Sequence, residues 1–269
     1  QIRHRGNVRY NTKNGRKRLM KLLEEDKLGG CPIDSVKLSD AKEWAIRMKE
    51  KGISYKTISN DKRSLKAAFY TAIQDDCIRK NPFDFQLNTV IEDDTEPKVP
   101  LTPAQEESFL SFAQNDKVYQ KYYDELIILL GTGFRISELC GLTDTDIDFE
   151  NRIINVDHQL LRSAETGYYI ETPKTKSGIR QIPMSEKVYE AFNRVLKRRR
   201  GAKAVTIDGY SNFLFLNRDG YPKTATNYDG MFRGLAKKYN KYHEEALPKV
   251  MTPHTLRHTF CTNMANAGM

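Results

Sequence analysis

The chain has 269 residues, of which 39% are hydrophobic and 29% charged, a balance that suits a soluble protein with one large domain or two ordinary ones. It contains no run of 18 apolar residues and opens on a basic, polar segment, so the sequence predicts neither a membrane span nor a secretory signal. The four cysteines are scattered without a CxxC pair, which argues against a zinc site or disulfide framework and favours a reducing cytoplasm.

The net charge of +9 is concentrated at the beginning of the chain. Residues 1–87 contain 20 Lys and Arg against 11 Asp and Glu, whereas the remaining residues contain 24 of each class. Such a basic surface is often no more than a solvated face. It is also the electrostatic footprint expected of a protein that binds a polyanion, and nucleic acid is the usual partner.

Two amphipathic helices are predicted in this basic part. The first spans 39–52, with Ser39 as its capping residue, and the second spans 54–76. The core face of the second helix consists of apolar residues at helical spacing: Ile58, Leu65, Ala68, Phe69, Ala72 and Ile73. Residues 88–100 are acidic, contain two prolines and have no sustained apolar periodicity, which predicts an inter-domain linker.

Beyond the linker, the sequence predicts a mainly helical domain with a small antiparallel sheet. Helices are expected from the Thr102-Pro103 cap, over 123–142 with a tight glycine turn at 131–133, over 185–201, over 227–242, and from Thr252-Pro253 to Gly268. Short strands are expected at 152–156, 168–172, 179–184 and 213–217. The second and third of these strands flank KTKSG, which predicts a hairpin turn between them.

Arg135 is the first candidate for chemistry, because it follows the glycine turn at the head of a helix. Glu138 lies three residues on and can orient the guanidinium. An ordinary surface ion pair would have the same spacing and contribute little. The glycine turn and the helix N-terminus, however, allow the backbone to approach a bound anion closely.

His254 and Arg257 are a second candidate pair, since residues at i and i+3 project side by side from a helix. The arginine fork matches phosphate oxygens, and histidine can donate a proton near neutral pH. A capping histidine beside a salt-bridged arginine would look the same. Lys174 and Lys176, in the predicted hairpin turn, could reach a DNA groove, although turn lysines are usually only solvated. Each of these motifs is weak on its own.

The combination is specific: TGFRISELCGL, then PKTKSGIRQIPM between two strands, then TPHTLRHTF. In this order the motifs resemble the tyrosine recombinase (phage-integrase) family, most of all the integrases of conjugative transposons. The resemblance covers residues 101–269 by motif and residues 1–87 by layout. It implies a two-domain, C-shaped DNA clamp, with a helical core-binding domain at 1–87, the linker at 88–100 and the catalytic domain at 101–269.

The resemblance also implies roles for individual residues. Arg135 and Arg257 would hold the non-bridging oxygens of the scissile phosphate, with Glu138 supporting the first arginine. Lys174 would protonate the leaving 5′ oxygen, with Lys176 as the competing candidate, and His254 would bind the phosphate or assist proton transfer. No metal or other cofactor is implied. Basic residues expected to contact DNA are Lys56, Lys62, Arg63, Lys66 and Arg180.

The nucleophile is the departure from the family pattern. Members place a second His or Trp and then the nucleophilic tyrosine well downstream of the HxxR arginine. Here the chain ends 12 positions after Arg257, and none of its 14 tyrosines follows that residue. Packing or DNA contact explains Tyr239 and Tyr242 better than catalysis. We expect that the end of the catalytic domain is not included, so that this chain binds DNA and positions the phosphate without cleaving.

The partners implied by the resemblance are double-stranded DNA at the recombination site of a mobile element and further copies of the recombinase, four in the full synaptic complex. An excisionase or DNA-bending protein would be an additional partner, and the location would be the bacterial cytoplasm or nucleoid. The alternative is a non-catalytic DNA-binding regulator. A metal-dependent nuclease is disfavoured, because the acidic residues look dispersed in the sequence.

Overall fold

The computed structural model describes residues 9–97, 99–173, 175–199, 205–248 and 250–268, with the backbone but not the side chain of Lys176. The chain divides between Pro97 and Lys98 into two units, each with its own hydrophobic core. Across these described ranges, every helix is too short or too polar to cross a membrane.

The first unit is helical, with a core centred on Trp44, which is fully buried. Within residues 9–97, its α-helices are α1 (Tyr10–Glu24), α2 (Leu38–Glu50) and α3 (Tyr55–Gln74). The rings of Trp44 and Phe83 pack edge to face at a centroid distance of 5.8 Å. The centroid of the Phe69 ring lies 5.2 Å from that of Phe83. The sequence did not predict α1, because that helix is strongly basic and buries only Leu19 among the described residues.

Helices α2 and α3 confirm the two predicted elements, with two corrections. The predicted cap at Ser39 is wrong: α2 begins one residue earlier, and the Asp40 carboxylate accepts a hydrogen bond from the Lys37 N–H at 2.8 Å. Ser54 caps α3, and its side chain accepts a hydrogen bond from the Thr57 N–H. Ala68, predicted in the core face, is exposed, because the buried stripe of α3 is narrower than its apolar pattern.

The acidic segment after α3 begins inside the first unit. Leu87 and Ile91 are buried in the core of that unit. Residues 92–97 form neither helix nor strand. The side chain of Ile91, near the start of the acidic segment, therefore belongs to a packed core.

The second unit is mainly helical, and its described residues form two small antiparallel sheets, which confirms the predicted fold class. Its helices are α4 (Pro103–Asn115), α5 (Tyr123–Thr132), α6 (Ile136–Gly141), α7 (Glu186–Arg199), α8 (Ala225–Tyr242) and α9 (Pro253–Asn266). Its strands are β1 (Ile147–Asp148), β2 (Ile153–Val156), β3 (Gln159–Ser163), β4 (Gly167–Glu171) and β5 (Arg180–Pro183). Helix α5 is apolar on nearly all sides and packs against α4, α7 and α9.

The pairing of the strands differs from the sequence prediction. Strands β1, β2 and β5 form one sheet, and β3 pairs with β4 in another. The predicted hairpin around KTKSG is therefore wrong, because β4 and β5 pair with different partners and the segment between them connects two sheets. The predicted strand at 213–217 is also wrong: in the described part of this segment only isolated bridges form, at Phe213 and Leu216.

Candidate phosphate-binding site

The site begins at the glycine turn between α5 and α6. Gly133 ends α5 in the left-handed region, with a φ of 62°, which favours a residue without a Cβ. A Cβ at this position would lie 2.3 Å from the ring of Phe260 on α9. The sequence therefore needs glycine here for two reasons, and the tight turn lies against Phe260 of α9.

Arg135 caps α6 and is held by Glu138. The Arg135 Nη1 donates to Glu138 Oε1 at 2.7 Å, and the Arg135 backbone N–H donates to Oε2 at 2.9 Å. The Glu138 side chain is 3% exposed, whereas that of Arg135 is 50% exposed. The carboxylate thus anchors the backbone and side chain of Arg135 from beneath and leaves half of the arginine surface accessible to a ligand.

Arg180 is the second partner of this carboxylate, which the sequence did not anticipate. Its Nη2 donates to Glu138 Oε2 at 2.8 Å, and its Nη1 donates to Oε1 at 3.1 Å. Burial alone would raise the pKa of Glu138, but the hydrogen bonds from Arg180 and Arg135 outweigh it and hold that pKa below its usual value. The Glu138 side chain is therefore an ionised group at neutral pH.

Arg257 lies in the same site. Its Nη1 donates a hydrogen bond to the Gly133 carbonyl, two residues before Arg135. Burial lowers the pKa of Arg257, and the positive charge of Arg135 lowers it further. The hydrogen bond to Gly133 thus brings Arg257 to the glycine turn that precedes Arg135, although the two arginines are 122 positions apart in the chain.

His254 lies one turn before Arg257 on α9 and is exposed. Its ring stands edge to face with that of His258, at a centroid distance of 5.3 Å. Helix α9 is fixed by Thr259, which is fully buried and accepts a hydrogen bond from the Leu101 N–H at 2.9 Å. This hydrogen bond therefore helps to hold in place the helix that carries His254 and Arg257.

The candidate lysines lie in the connection between the two sheets. Lys176 begins a single turn that ends at Gly178, and the Gly178 N–H donates to the Thr175 carbonyl at 2.9 Å. A Cβ on Gly178 would lie 2.4 Å from Pro173, so the turn needs this glycine. Lys174 lies outside the described residues. The choice between the two lysines, and their role, stays a prediction.

The four basic residues of α3 differ in their exposure and in the groups that their side chains contact. Lys56 and Arg63 are exposed. Lys66 pairs with Asp84 at 2.5 Å, and the ammonium of Lys62 lies 4.4 Å from the centre of the Phe85 ring. Burial, then the charge of Lys66, lowers the pKa of Lys62.

The two tyrosines considered as substitute nucleophiles have different environments. Tyr239 is 2% exposed, and its hydroxyl is 2.7 Å from that of Ser108, so it packs in the core of the second unit. Tyr242 is 64% exposed. Packing therefore explains Tyr239, as expected.

One group with the spacing of metal ligands occurs among the described residues, and the sequence did not predict it. Ligand atoms of Asp146, Asp157 and His158 all lie within 4.8 Å of one another. The His158 nitrogens are 2.6 Å from Asp157 Oδ1 and 2.8 Å from the Gly141 carbonyl. Hydrogen bonds within the protein therefore already account for both nitrogens of the ring.

The sequence model of the phage integrase family matches residues 100–269, and the chain belongs to this family. It is 66% identical over 269 residues to the transposase of transposon Tn916 from Enterococcus faecalis, a match that covers all of this chain and 66% of that protein. The chain therefore spans slightly less than two thirds of the length of this relative. It is also 30% identical over 260 residues to tyrosine recombinase XerA of Pyrococcus furiosus, covering 93% of this chain and 72% of XerA.

Solved structures of the Tn1549 transposon integrase closely match this chain. One, in complex with a circular intermediate DNA, superposes with a TM-score of 0.96 at 75% identity and covers 100% of this chain and 85% of that one. Another carries a tyrosine-to-phenylalanine change and is bound to transposon right end DNA, with a TM-score of 0.95 at 75% identity and the same coverage. Lambda integrase bound to DNA, at 15% identity and a TM-score of 0.63 over 99% of this chain and 83% of that one, shares the fold.

Proposed function

We propose that this chain is the DNA-binding and phosphate-positioning part of a site-specific tyrosine recombinase, the integrase of a conjugative transposon. The reaction would cut and rejoin DNA strands through a 3′-phosphotyrosyl intermediate, for integration and excision of the mobile element. The observation that carries this proposal is the hydrogen bond from Arg257 to the Gly133 carbonyl, which brings Arg257 beside Arg135. The 66% identity to the Tn916 transposase supports it.

The arrangement of the two arginines suits phosphoryl transfer. When a nucleophile attacks, the phosphorus becomes five-coordinate and negative charge grows on its non-bridging oxygens. Arg135 and Arg257 would each donate to those oxygens. Because Glu138 already holds one guanidinium and the Gly133 carbonyl holds the other, little reorganisation is needed during the reaction. These cationic groups supply the charge stabilisation that a divalent ion provides in other enzymes.

The remaining candidate residues, a lysine and His254, would carry out the proton transfers. A lysine of the connection between β4 and β5 would protonate the leaving 5′ oxygen, with Lys174 and Lys176 as the two alternatives. His254, one turn from Arg257 and exposed, would hydrogen-bond to the phosphate or assist this transfer. The bond energy is kept in the phosphotyrosyl link, so rejoining would need no nucleotide cofactor.

DNA binding would draw on both units. We assign residues 1–87 as the core-binding domain, residues 88–100 as the linker and residues 101–269 as the catalytic domain. Exposed Lys56 and Arg63 are the strongest candidates on α3 for phosphate contacts, since Lys66 has an acidic partner and Lys62 lies over an aromatic ring. Affinity should fall steeply with salt.

The partners would be double-stranded DNA at the ends of the mobile element and further recombinase copies, four in the synaptic complex. This activity would take place in the bacterial cytoplasm or nucleoid. An excisionase or DNA-bending protein would set the direction of the reaction.

The test is covalent adduct formation by a chimera that joins residues 1–269 to the remaining sequence of the Tn916 transposase, called here the Tn916 chimera. On a nicked substrate made from transposon right end DNA, it should form a protein–DNA adduct that survives denaturation, and EDTA should not prevent this. DNA binding without any adduct would contradict strand transfer and favour a non-catalytic DNA-binding regulator.

A further inference from the structure

We propose that Arg180 is a positioning residue of the phosphate site, which acts through Glu138 on Arg135 and on the Lys176–Gly178 turn instead of contacting DNA. This inference rests on the proposed function, because it assigns Arg180 a task in the same site. It replaces the DNA contact predicted for this residue from the sequence.

The hydrogen bonds of Glu138 carry the argument. Oε1 accepts from the guanidinium groups of Arg135 and Arg180, and Oε2 accepts from Arg180 and from the Arg135 backbone N–H. The carboxylate therefore accepts four hydrogen bonds, two at each oxygen, which matches its full capacity. Arg180 contributes two of the four, and its side chain is 25% exposed, half the exposed fraction of Arg135.

Arg180 also joins two separate parts of the second unit. It stands at the start of β5, opposite Val156 of β2. Its Nη1 donates to the Gly178 carbonyl at 3.2 Å as well as to Glu138 Oε1. One guanidinium thus contacts both α6, through Glu138, and the turn that begins at Lys176. It sets the spacing between the first arginine and the turn that carries a candidate general acid.

The shared carboxylate has an electrostatic consequence for Arg135. If Glu138 had Arg135 as its only partner, the pair would be neutral and its attraction for a phosphate would be weakened. With two guanidinium groups on one carboxylate, the three side chains together carry a net positive charge. Arg180 therefore leaves Arg135 with charge to offer to a phosphate while Glu138 keeps it in place.

The first measurement uses the DNA-free chain, with Arg180→Lys as the variant and Arg152→Lys as the matched control. Lysine keeps the charge but lacks the planar fork that reaches both oxygens of Glu138. Arg152 forms an exposed pair with Glu186 at 2.5 Å. We expect amide hydrogen exchange at Gly178 to accelerate by about tenfold or more in Arg180→Lys and to be unchanged in the control. Unchanged exchange in Arg180→Lys would overturn the proposal.

The second measurement is affinity for transposon right end DNA in two backgrounds. Arg180→Lys should weaken binding by about threefold to tenfold in the unmodified chain and by less than about twofold when Arg135 is already alanine. An equal loss in both backgrounds would overturn the proposal, because Arg180 would then act without Arg135. No loss in the unmodified chain would overturn it as well. If the unmodified chain failed to bind DNA, the proposed function would fail, and exchange at Gly178 would still decide the role of Arg180.

Discussion

Replacing Arg135 or Arg257 by alanine in the Tn916 chimera should reduce the rate of adduct formation by about a hundredfold to a thousandfold. This is the range observed when one preorganised donor to a developing negative charge is removed. DNA affinity should fall by no more than about tenfold, because a recombinase of this kind makes many phosphate contacts and each variant removes one. Single-turnover adduct formation at saturating protein, together with a binding titration, separates the two effects.

Arg218→Ala is the control for these arginine variants. Its side chain is 94% exposed, and its one ion pair among the described residues is a long contact with Asp219 at 3.8 Å. The same loss of one charge should leave adduct formation within about twofold of the unmodified chimera. If Arg135→Ala or Arg257→Ala left the rate of adduct formation unchanged, the substituted arginine would not belong to the site. If the variant lost all DNA binding, the role of that arginine would not be specific to the transition state.

The largest stability effect is expected for Glu138→Ala, at about 3–5 kcal/mol of destabilisation of the second unit. The variant would leave the guanidinium groups of Arg135 and Arg180 close together without the carboxylate that separates them. Denaturant unfolding of the DNA-free chain measures this change in free energy. Glu186→Ala is the matched control, because its exposed pair with Arg152 should contribute no more than about 1 kcal/mol.

The low pKa of Glu138 also predicts that the free energy of unfolding depends on pH. A carboxyl group whose pKa is lower in the folded state stabilises the fold above its unfolded pKa, and the contribution is lost as the pH falls through the folded value. Stability should therefore decline towards acid pH more steeply in the unmodified chain than in Glu138→Gln. Parallel pH profiles for the two proteins would contradict the assignment of Glu138 as an ionised partner of both arginines.

Much of the fold could be predicted from local sequence patterns. Capping residues and apolar periodicity located α3, α4 and α9, because these features act within one or two helical turns. Helix α1 was missed, since its sequence is strongly basic and offers little apolar pattern. The strand pairing was also predicted wrongly. Which strands pair depends on contacts between distant segments, and the run at 168–172 gave no indication that its partner was β3.

In the candidate site, too, contacts between neighbouring residues could be predicted from the sequence, whereas contacts between distant segments could not. The pairing of Arg135 with Glu138 follows from helix spacing and is found in the structure. The hydrogen bond from Arg257 to Gly133 spans 124 positions, and only the family resemblance predicted that the two segments meet. The bond between Arg180 and Glu138 was not predicted at all, because an arginine beside a basic turn looks like a DNA contact when its strand pairing is unknown.

Whether Arg135 and Arg257 both act on one linkage of the DNA can be measured directly. A series of right end duplexes would each carry a single uncharged methylphosphonate in place of one phosphate, and binding of the chain, Arg135→Ala and Arg257→Ala would be measured on every duplex. If Arg135 and Arg257 hold the same phosphate, the affinity penalties of both variants shrink to less than about twofold at one and the same position, because the charge they hold has been removed. Penalties that vanish at two different positions, or at none, would contradict a shared phosphate.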